Sequence, residues 1–227
     1  MSQNTLKIIA IATMFIDHVG AIILLPLVQQ GNFTELYWLS RYIGRMAFPI
    51  FAYLIATGCV HSKNIHAYAL RLFAFAIISQ IPFALAFGRQ ISFVSYTNIF
   101  YTLFLAVFAV VIYKMLDSKW WAAPLSLIPA AFAAHFLGTD YGAFGVSLIF
   151  ILYVANPQIR WRAAVLIAAG MVYFYFGQAV ALAVFGIAAA ICIFLDNGRR
   201  KPSPAVAKYT FYAFYPAHLL LLWLIVP

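Results

Sequence analysis

Charge is scarce in this chain, and acid scarcest of all. Asp, Glu, Lys and Arg make up 8% of its 227 residues, and only five of them are acidic. Soluble domains carry about a quarter charged residues. With 66% of residues hydrophobic, no water-soluble fold of this length could hide its apolar surface. Cysteine is nearly missing too. Cys59 and Cys192 give no disulfide framework and no metal-ligand spacing, and read as small core-filling residues near cytoplasmic helix ends. The chain has no phosphate-binding glycine loop, no Gly-x-Ser-x-Gly elbow and no internal repeat. Its longest polar stretch, Asp196 to Pro204, is too short for an extramembrane domain.

What remains is apolar sequence in runs of bilayer length. Nine segments can be read, at approximately 6–28, 36–60, 66–87, 97–115, 120–137, 141–155, 161–176, 178–195 and 208–226. The breaks between them carry turn chemistry, as in Gln29-Gln30-Gly31-Asn32, Gly88-Arg89-Gln90, Gly138-Thr139-Asp140 and Asn156-Pro157. The runs are continuous, which excludes the ten-residue alternation of a β-barrel. The expected fold is all-α, a polytopic transmembrane helix bundle of about nine helices forming a single domain over 1–227. Only Gly177-Gln178 divides segments seven and eight, so eight helices with a re-entrant element is the competing arrangement. The first segment differs from a signal peptide: Asp17-His18 interrupts it, it outruns a signal's apolar region, and no small-x-small cleavage site follows.

Basic residues set the orientation. With the N-terminus cytoplasmic, Lys7, Lys63, Arg71, Lys114, Lys119, Arg160, Arg162, Arg199, Arg200, Lys201 and Lys208 all fall inside, and Arg89 alone falls outside. The same bias explains the formal net charge of +9, so nucleic-acid binding is not indicated. Arg41 and Arg45 are left unexplained by topology.

Those two arginines are one turn apart on the second segment, and Asp17-His18 lies near the middle of the first. Ionisable groups at bilayer depth cost roughly 2.5–3.5 kcal/mol each at a helix centre, and normally face a protein interior or a wet cavity. Successive helical residues point about 100° apart, so Asp17 and His18 should each find a partner on a neighbouring helix. Counting about 1.5 Å per residue puts Asp17 and Arg45 at similar depth on antiparallel helices. An Asp17–Arg45 ion pair, with Arg41 a turn nearer the outside, is the economical arrangement. His18 would then be available as a proton acceptor. The competing account is structural, with the pair tying two helices together and His18 bonding between them.

The other polar residues within apolar sequence are Gln80 with Pro82, Asn98, His135, Asp140, Tyr215 and His218. Gln80-Ile81-Pro82 marks a bend whose freed backbone groups need partners. Each of the rest is, on its own, more often interhelical or interfacial than catalytic, and Arg71 has a bland role in snorkelling to the cytoplasmic interface.

At these residues the chain resembles the TraX family. The matching stretches are Leu6-Lys7-Ile8-Ile9-Ala10 leading to Phe15-Ile16-Asp17-His18-Val19-Gly20, then Arg41-Tyr42-Ile43-Gly44-Arg45-Met46-Ala47-Phe48-Pro49-Ile50-Phe51-Ala52, Gln80-Ile81-Pro82-Phe83, Asn98-Ile99-Phe100-Tyr101-Thr102-Leu103, Asp140-Tyr141-Gly142-Ala143-Phe144-Gly145 and Phe214-Tyr215-Pro216-Ala217-His218-Leu219. The continuation Phe104-Leu105-Ala106 departs from the Leu- and Gly-rich run expected there. The family's named activity is acetylation of the N-terminus of conjugative F-type pilin in the bacterial inner membrane; the resemblance does not imply the same pilin acceptor. More broadly, it implies the integral-membrane acyltransferases that use acyl-CoA. Those carry a basic residue and a His eleven positions apart in the first helix, a spacing that Lys7 and His18 match, and a Tyr-x-x-His element matched by Tyr215 and His218.

On this reading the chain is an acetyltransferase of the bacterial inner (cytoplasmic) membrane, with acetyl-CoA as acyl donor and no metal. Lys7 and Arg71 would meet the donor's phosphates. His18 would act as general base or acetyl carrier, Arg41 or Arg45 would stabilise the acyl oxyanion, and Asp17 would hold the arginines. Gln80, Asn98, Asp140, Tyr141, Tyr215 and His218 are the acceptor-binding candidates. The acceptor would be a protein N-terminus or an envelope glycan or small molecule. Two other classes stay open: a small proton-coupled transporter using Asp17, His18 and Arg45 as a relay, and an assembly factor with no chemistry.

Overall fold

The computed structural model describes residues 1–178, 180–198 and 205–226, the last group without the side chains of 205–208. Of the basic residues expected on the cytoplasmic side, Arg199, Arg200, Lys201 and the Lys208 side chain lie outside the described residues. The described residues form nine helices and no strand: α1 Gln3–Gln29, α2 Thr34–His61, α3 Ile65–Ala86, α4 Ile99–Met115, α5 Ala122–Phe136, α6 Gly142–Val154, α7 Arg160–Phe174, α8 Val180–Phe194 and α9 Ala205–Ile225. Segments seven and eight are thus two helices, and Gly177 at φ +80° stands between them. That left-handed conformation suits a residue without Cβ.

Prolines shape the two helices that carry the ionisable cluster. Pro26 cannot donate to the preceding turn, and just before it Gly20–Leu24 widens into a π-turn in which Leu25 N–H reaches the Gly20 carbonyl. In α2, the ring of Pro49 would crowd the carbonyl of Arg45, four residues earlier. The helix breaks there: Arg45 N–H bonds the Tyr42 carbonyl at 3.1 Å and Met46 N–H that of Ile43 at 3.2 Å, both three residues back. Arg45 therefore sits at a break in α2 and not in an unbroken turn.

The chain divides into two compact units. The first comprises 1–51, 82–90 and 160–227. Within it α1 packs on the first half of α2 and on α9, α7 packs on α8, and α8 also touches α2. Its interior is apolar, with Leu6, Ala10, Ile50, Ile167, Met171, Ile193 and Leu219 fully buried. The second unit comprises 52–81 and 91–159. There α4, α5 and α6 pack mutually around Ala106, Val107, Val110, Ala134, Val146, Ile149 and Leu152.

α1, α2 and α3 are long and apolar enough to cross a membrane. α4, α5, α6, α8 and the Tyr209–Ile225 part of α9 are apolar but shorter. Outward-facing side chains are strongly apolar as well: Trp120 and Phe176 are each 85% exposed and Phe136 is 77% exposed. Water would penalise such a surface, whereas lipid does not.

Candidate active site

α1 presents Asp17 and His18 to different helices, as their 100° offset requires. Asp17 turns to α2. Its Oδ1 accepts from Arg45 Nη2 at 2.6 Å, and its Oδ2 pairs with Arg41 Nη1 at 2.9 Å. The Asp17–Arg45 pair is where helical spacing puts it. Arg41, one turn before Arg45 on α2, shares the same carboxylate. Arg41 Nη1 also donates to the Asp17 backbone carbonyl at 3.2 Å.

The two arginines are used differently. Arg45 Nε donates to the Arg41 carbonyl at 3.0 Å and its Nη1 to the Tyr175 hydroxyl at 3.3 Å. All three nitrogens of its guanidinium are thereby engaged. Arg41 spends only Nη1, leaving Nε and Nη2 without a hydrogen-bond partner among the described residues. Its side chain is 25% exposed against 14% for Arg45. Arg45 is a fastener, while Arg41 keeps donors in reserve.

Close helix approach makes the triad possible. A Cβ on Gly44 would fall well under 3.0 Å from Oδ1, Cβ and Cγ of Asp17. One on Gly20 would collide with the Ser40 hydroxyl and lie 3.0 Å from Ser40 Cβ. Small residues at an apolar helix crossing let the backbones draw together, and here they bring the carboxylate within reach of both guanidinium groups.

His18 turns to α9. Its Nδ1 lies 2.6 Å from Nε2 of His218, and Nδ1 of His218 donates to the Phe214 carbonyl at 2.7 Å. The imidazoles lie edge to edge and nearly coplanar, their centroids 4.9 Å apart at 11°, Phe214 stacks on His218 at 4.8 Å, and Tyr215 and Phe87 stand edge-on to His18 at 5.9 Å each. His18 and His218 are both buried. Arg41 and Arg45 are within electrostatic reach of the His18 ring.

The remaining candidates fall elsewhere. Lys7 lies on α1 with Nζ 5.8 Å from the Phe211 ring; eleven residues of regular helix place it about 16 Å along the axis from His18. Arg71 belongs to the second unit, stacks 5.8 Å from Tyr68, and keeps a buried Nε with no hydrogen-bond partner among the described residues. Gln80 and Asn98 come together. Gln80 Oε1 accepts from Asn98 N–H at 3.0 Å and from Asn98 Nδ2 at 2.8 Å, while Gln80 Nε2 donates to the Ser92 and Tyr96 carbonyls at 2.7 and 3.2 Å. Asn98 Nδ2 also donates to the Ala76 carbonyl at 2.8 Å, and its Oδ1 caps α4 by accepting from Phe100 N–H at 3.0 Å. α3 continues through Pro82 to Ala86. Asp140 donates its N–H to the Thr97 carbonyl at 3.1 Å, its own carbonyl accepts from the Thr102 hydroxyl, and Tyr141 holds φ +61° at the start of α6.

Sequence reasoning passed over Tyr175, Gly44, Gly20, Ser40 and the Phe214 carbonyl. Gly44 was open to notice, because it sits between the two arginines on the face they share. Tyr175 carries no local signal. The two cysteines are free, Cys59 buried and Cys192 half-buried, and the described residues hold no group of three or more potential metal ligands.

Fold and site together define an all-helical, membrane-type protein with one carboxylate gripped by two arginines beside a buried histidine pair. Residues 2–226 match the model of the TraX protein family, and the chain belongs to that family. It is also similar to a probable fimbrial assembly protein FimC, serogroup H1, of Dichelobacter nodosus, 28% identical over 97% of this chain and 94% of that one. No solved structure matches it.

Proposed function

We propose that this chain is a multi-pass, N-terminus-in acetyltransferase of the bacterial inner membrane, moving an acetyl group from cytosolic acetyl-CoA to an amine or hydroxyl. One observation carries the reading: Asp17, the sequence neighbour of the buried His18, grips two guanidinium groups that are within electrostatic reach of the His18 ring. Acyl transfer needs a base for the acceptor's proton and a positive group for the charge developing on the carbonyl oxygen. His18 takes that proton and returns it to the departing CoA sulfur. Arg41 faces the developing oxyanion with its spare N–H groups, a contribution typically worth about 3–4 kcal/mol for one well-placed donor. Asp17 and Arg45 hold Arg41 in place. Lys7, on the His18 helix, meets donor phosphates. Membership of the TraX family supports the chemistry, and likeness to a probable fimbrial assembly protein of Dichelobacter nodosus favours a pilus or fimbrial subunit as acceptor.

The test is release of free CoA and transfer of labelled acetyl from acetyl-CoA, using purified protein with pilin peptides and with extracted envelope glycans. Wild type should turn over, His18→Ala should not, and Arg41→Ala should lose roughly 100-fold or more in kcat. Proton-driven uptake in liposomes without CoA release would replace this reading with a transporter.

A further inference from the structure

We infer that His218 is a positioning residue: it decides which nitrogen of His18 serves as the base. The inference rests on the acetyltransferase reading for its consequence, but its geometry stands alone. A peptide carbonyl can only accept, so Nδ1 of His218, 2.7 Å from the Phe214 oxygen, carries a hydrogen. In a neutral imidazole the other nitrogen is then bare. Nε2 of His218 therefore accepts, and its partner at 2.6 Å, Nδ1 of His18, donates. That leaves Nε2 of His18 bare, and no group among the described residues hydrogen-bonds to it.

The direction of one backbone carbonyl is thus passed through two rings to the reacting atom. The two rings are nearly coplanar, 11° apart with centroids at 4.9 Å, so the hydrogen bond between them runs in the ring planes, and Phe214 against a face of His218 at 4.8 Å keeps that ring from turning over. During transfer the acceptor's nitrogen or oxygen bonds to the acetyl carbon and the carbon–sulfur bond breaks. The acceptor's proton moves to Nε2 of His18 and then to the CoA sulfur. Throughout, Nδ1–H of His18 stays on its acceptor in His218, which steadies the imidazolium while it lasts. Serine hydrolases give this orienting task to a carboxylate; here the neighbouring carboxylate is committed to the arginines and an imidazole backed by a carbonyl replaces it.

The experiment is nitrogen NMR on the full chain with ¹⁵N-labelled histidine in lipid nanodiscs, the His18 signals being identified by their loss in His18→Gln. Wild type should show His18 with hydrogen on Nδ1 and a bare Nε2. His218→Leu removes the acceptor and should move His18 toward the opposite tautomer. His218→Gln, whose side-chain oxygen can accept in place of Nε2, should hold the wild-type pattern. In turnover, His218→Leu should lower kcat about 10-fold or more while KM changes less than about twofold, with His218→Gln recovering most of the rate. A hydrogen on Nε2 of His18 in wild type, or an unchanged His18 spectrum in His218→Leu, would overturn the proposal. If wild type shows the expected tautomer but releases no CoA, the acetyltransferase reading fails and the tautomer assignment survives.

Discussion

Replacing Gly44 by alanine adds one methyl group where α1 and α2 cross. That methyl would lie well under 3.0 Å from the Cβ, Cγ and Oδ1 of Asp17. Carbon atoms pack best at about 3.5–4.0 Å, so the crossing has to open by something on the order of 1 Å. Asp17 cannot simply swing aside, because its Cβ is among the atoms struck and the Cβ follows the backbone. Overpacking of this kind costs roughly 1–3 kcal/mol. Arg45 cannot readily follow the carboxylate, being tied to the Arg41 carbonyl and to Tyr175. If one ion pair is lost as well, the total approaches the roughly 3–5 kcal/mol that breaking a buried pair costs.

Gly20→Ala is the internal control. Its methyl meets the Ser40 hydroxyl, which can rotate, and Ser40 Cβ at 3.0 Å, so the strain is milder and Ser40→Ala should relieve part of it. Thermal unfolding in detergent reads the difference. At about 2–4 °C per kcal/mol for a chain of this size, Gly44→Ala should melt several degrees below both wild type and Gly20→Ala. Equal midpoints for the two glycine variants would refute the claim that the Asp17–Gly44 approach is the tight point.

Asp17→Ala should destabilise by about 3–5 kcal/mol, because it leaves two guanidinium groups without their shared carboxylate; denaturant titration checks this. Arg45→Ala should cost far more than Arg89→Ala, since Arg89 is exposed and Arg45 is enclosed, and the same titration compares them. Asn98→Leu should lower stability by roughly 1–3 kcal/mol for a buried partner left unmet, here the Phe100 N–H that loses its acceptor in Asn98 Oδ1, whereas Gln80 Oε1 keeps the Asn98 backbone N–H. If its main effect is instead a raised KM for acceptor, Asn98 contacts substrate.

How much was legible follows from what each signal encodes. The apolar runs located nine helices to within a few residues: the reading 66–87 corresponds to Ile65–Ala86, and 97–115 to Ile99–Met115. Helical spacing also foresaw that Asp17 and His18 would part company and that Arg45 would meet Asp17. It could not foresee that Arg41 shares the carboxylate, because one-turn spacing fixes a common face but not the crossing geometry. The partner of His18 lies 200 positions away, and no local pattern reports such a contact; polarity within an apolar run marked His218, and only the family resemblance set it apart from an ordinary interhelical residue. The break at Arg45 was in principle readable from Pro49, four residues on. Short helices were legible as well, the reading 141–155 corresponding to Gly142–Val154, because Asp140 and Asn156-Pro157 supply turn residues at both ends.

The ionic count at the centre of the site bears on its chemistry. One carboxylate is shared by two guanidinium groups, so the triad carries a formal surplus of one positive charge in partly buried surroundings. A purely structural fastening between α1 and α2 would need only one arginine, and the second adds a desolvation cost without a matching counter-charge. Holding that surplus makes physical sense if an anion forms there transiently, because a fixed positive group costs no reorganisation when negative charge develops beside it. Arg41, the more exposed arginine and the one with donors to spare, is then the group whose neutralisation separates the two roles. Arg41→Gln should keep or improve stability in the denaturant titration while sharply lowering turnover. A variant that instead unfolds with its rate intact would make Arg41 a fastener like its neighbour.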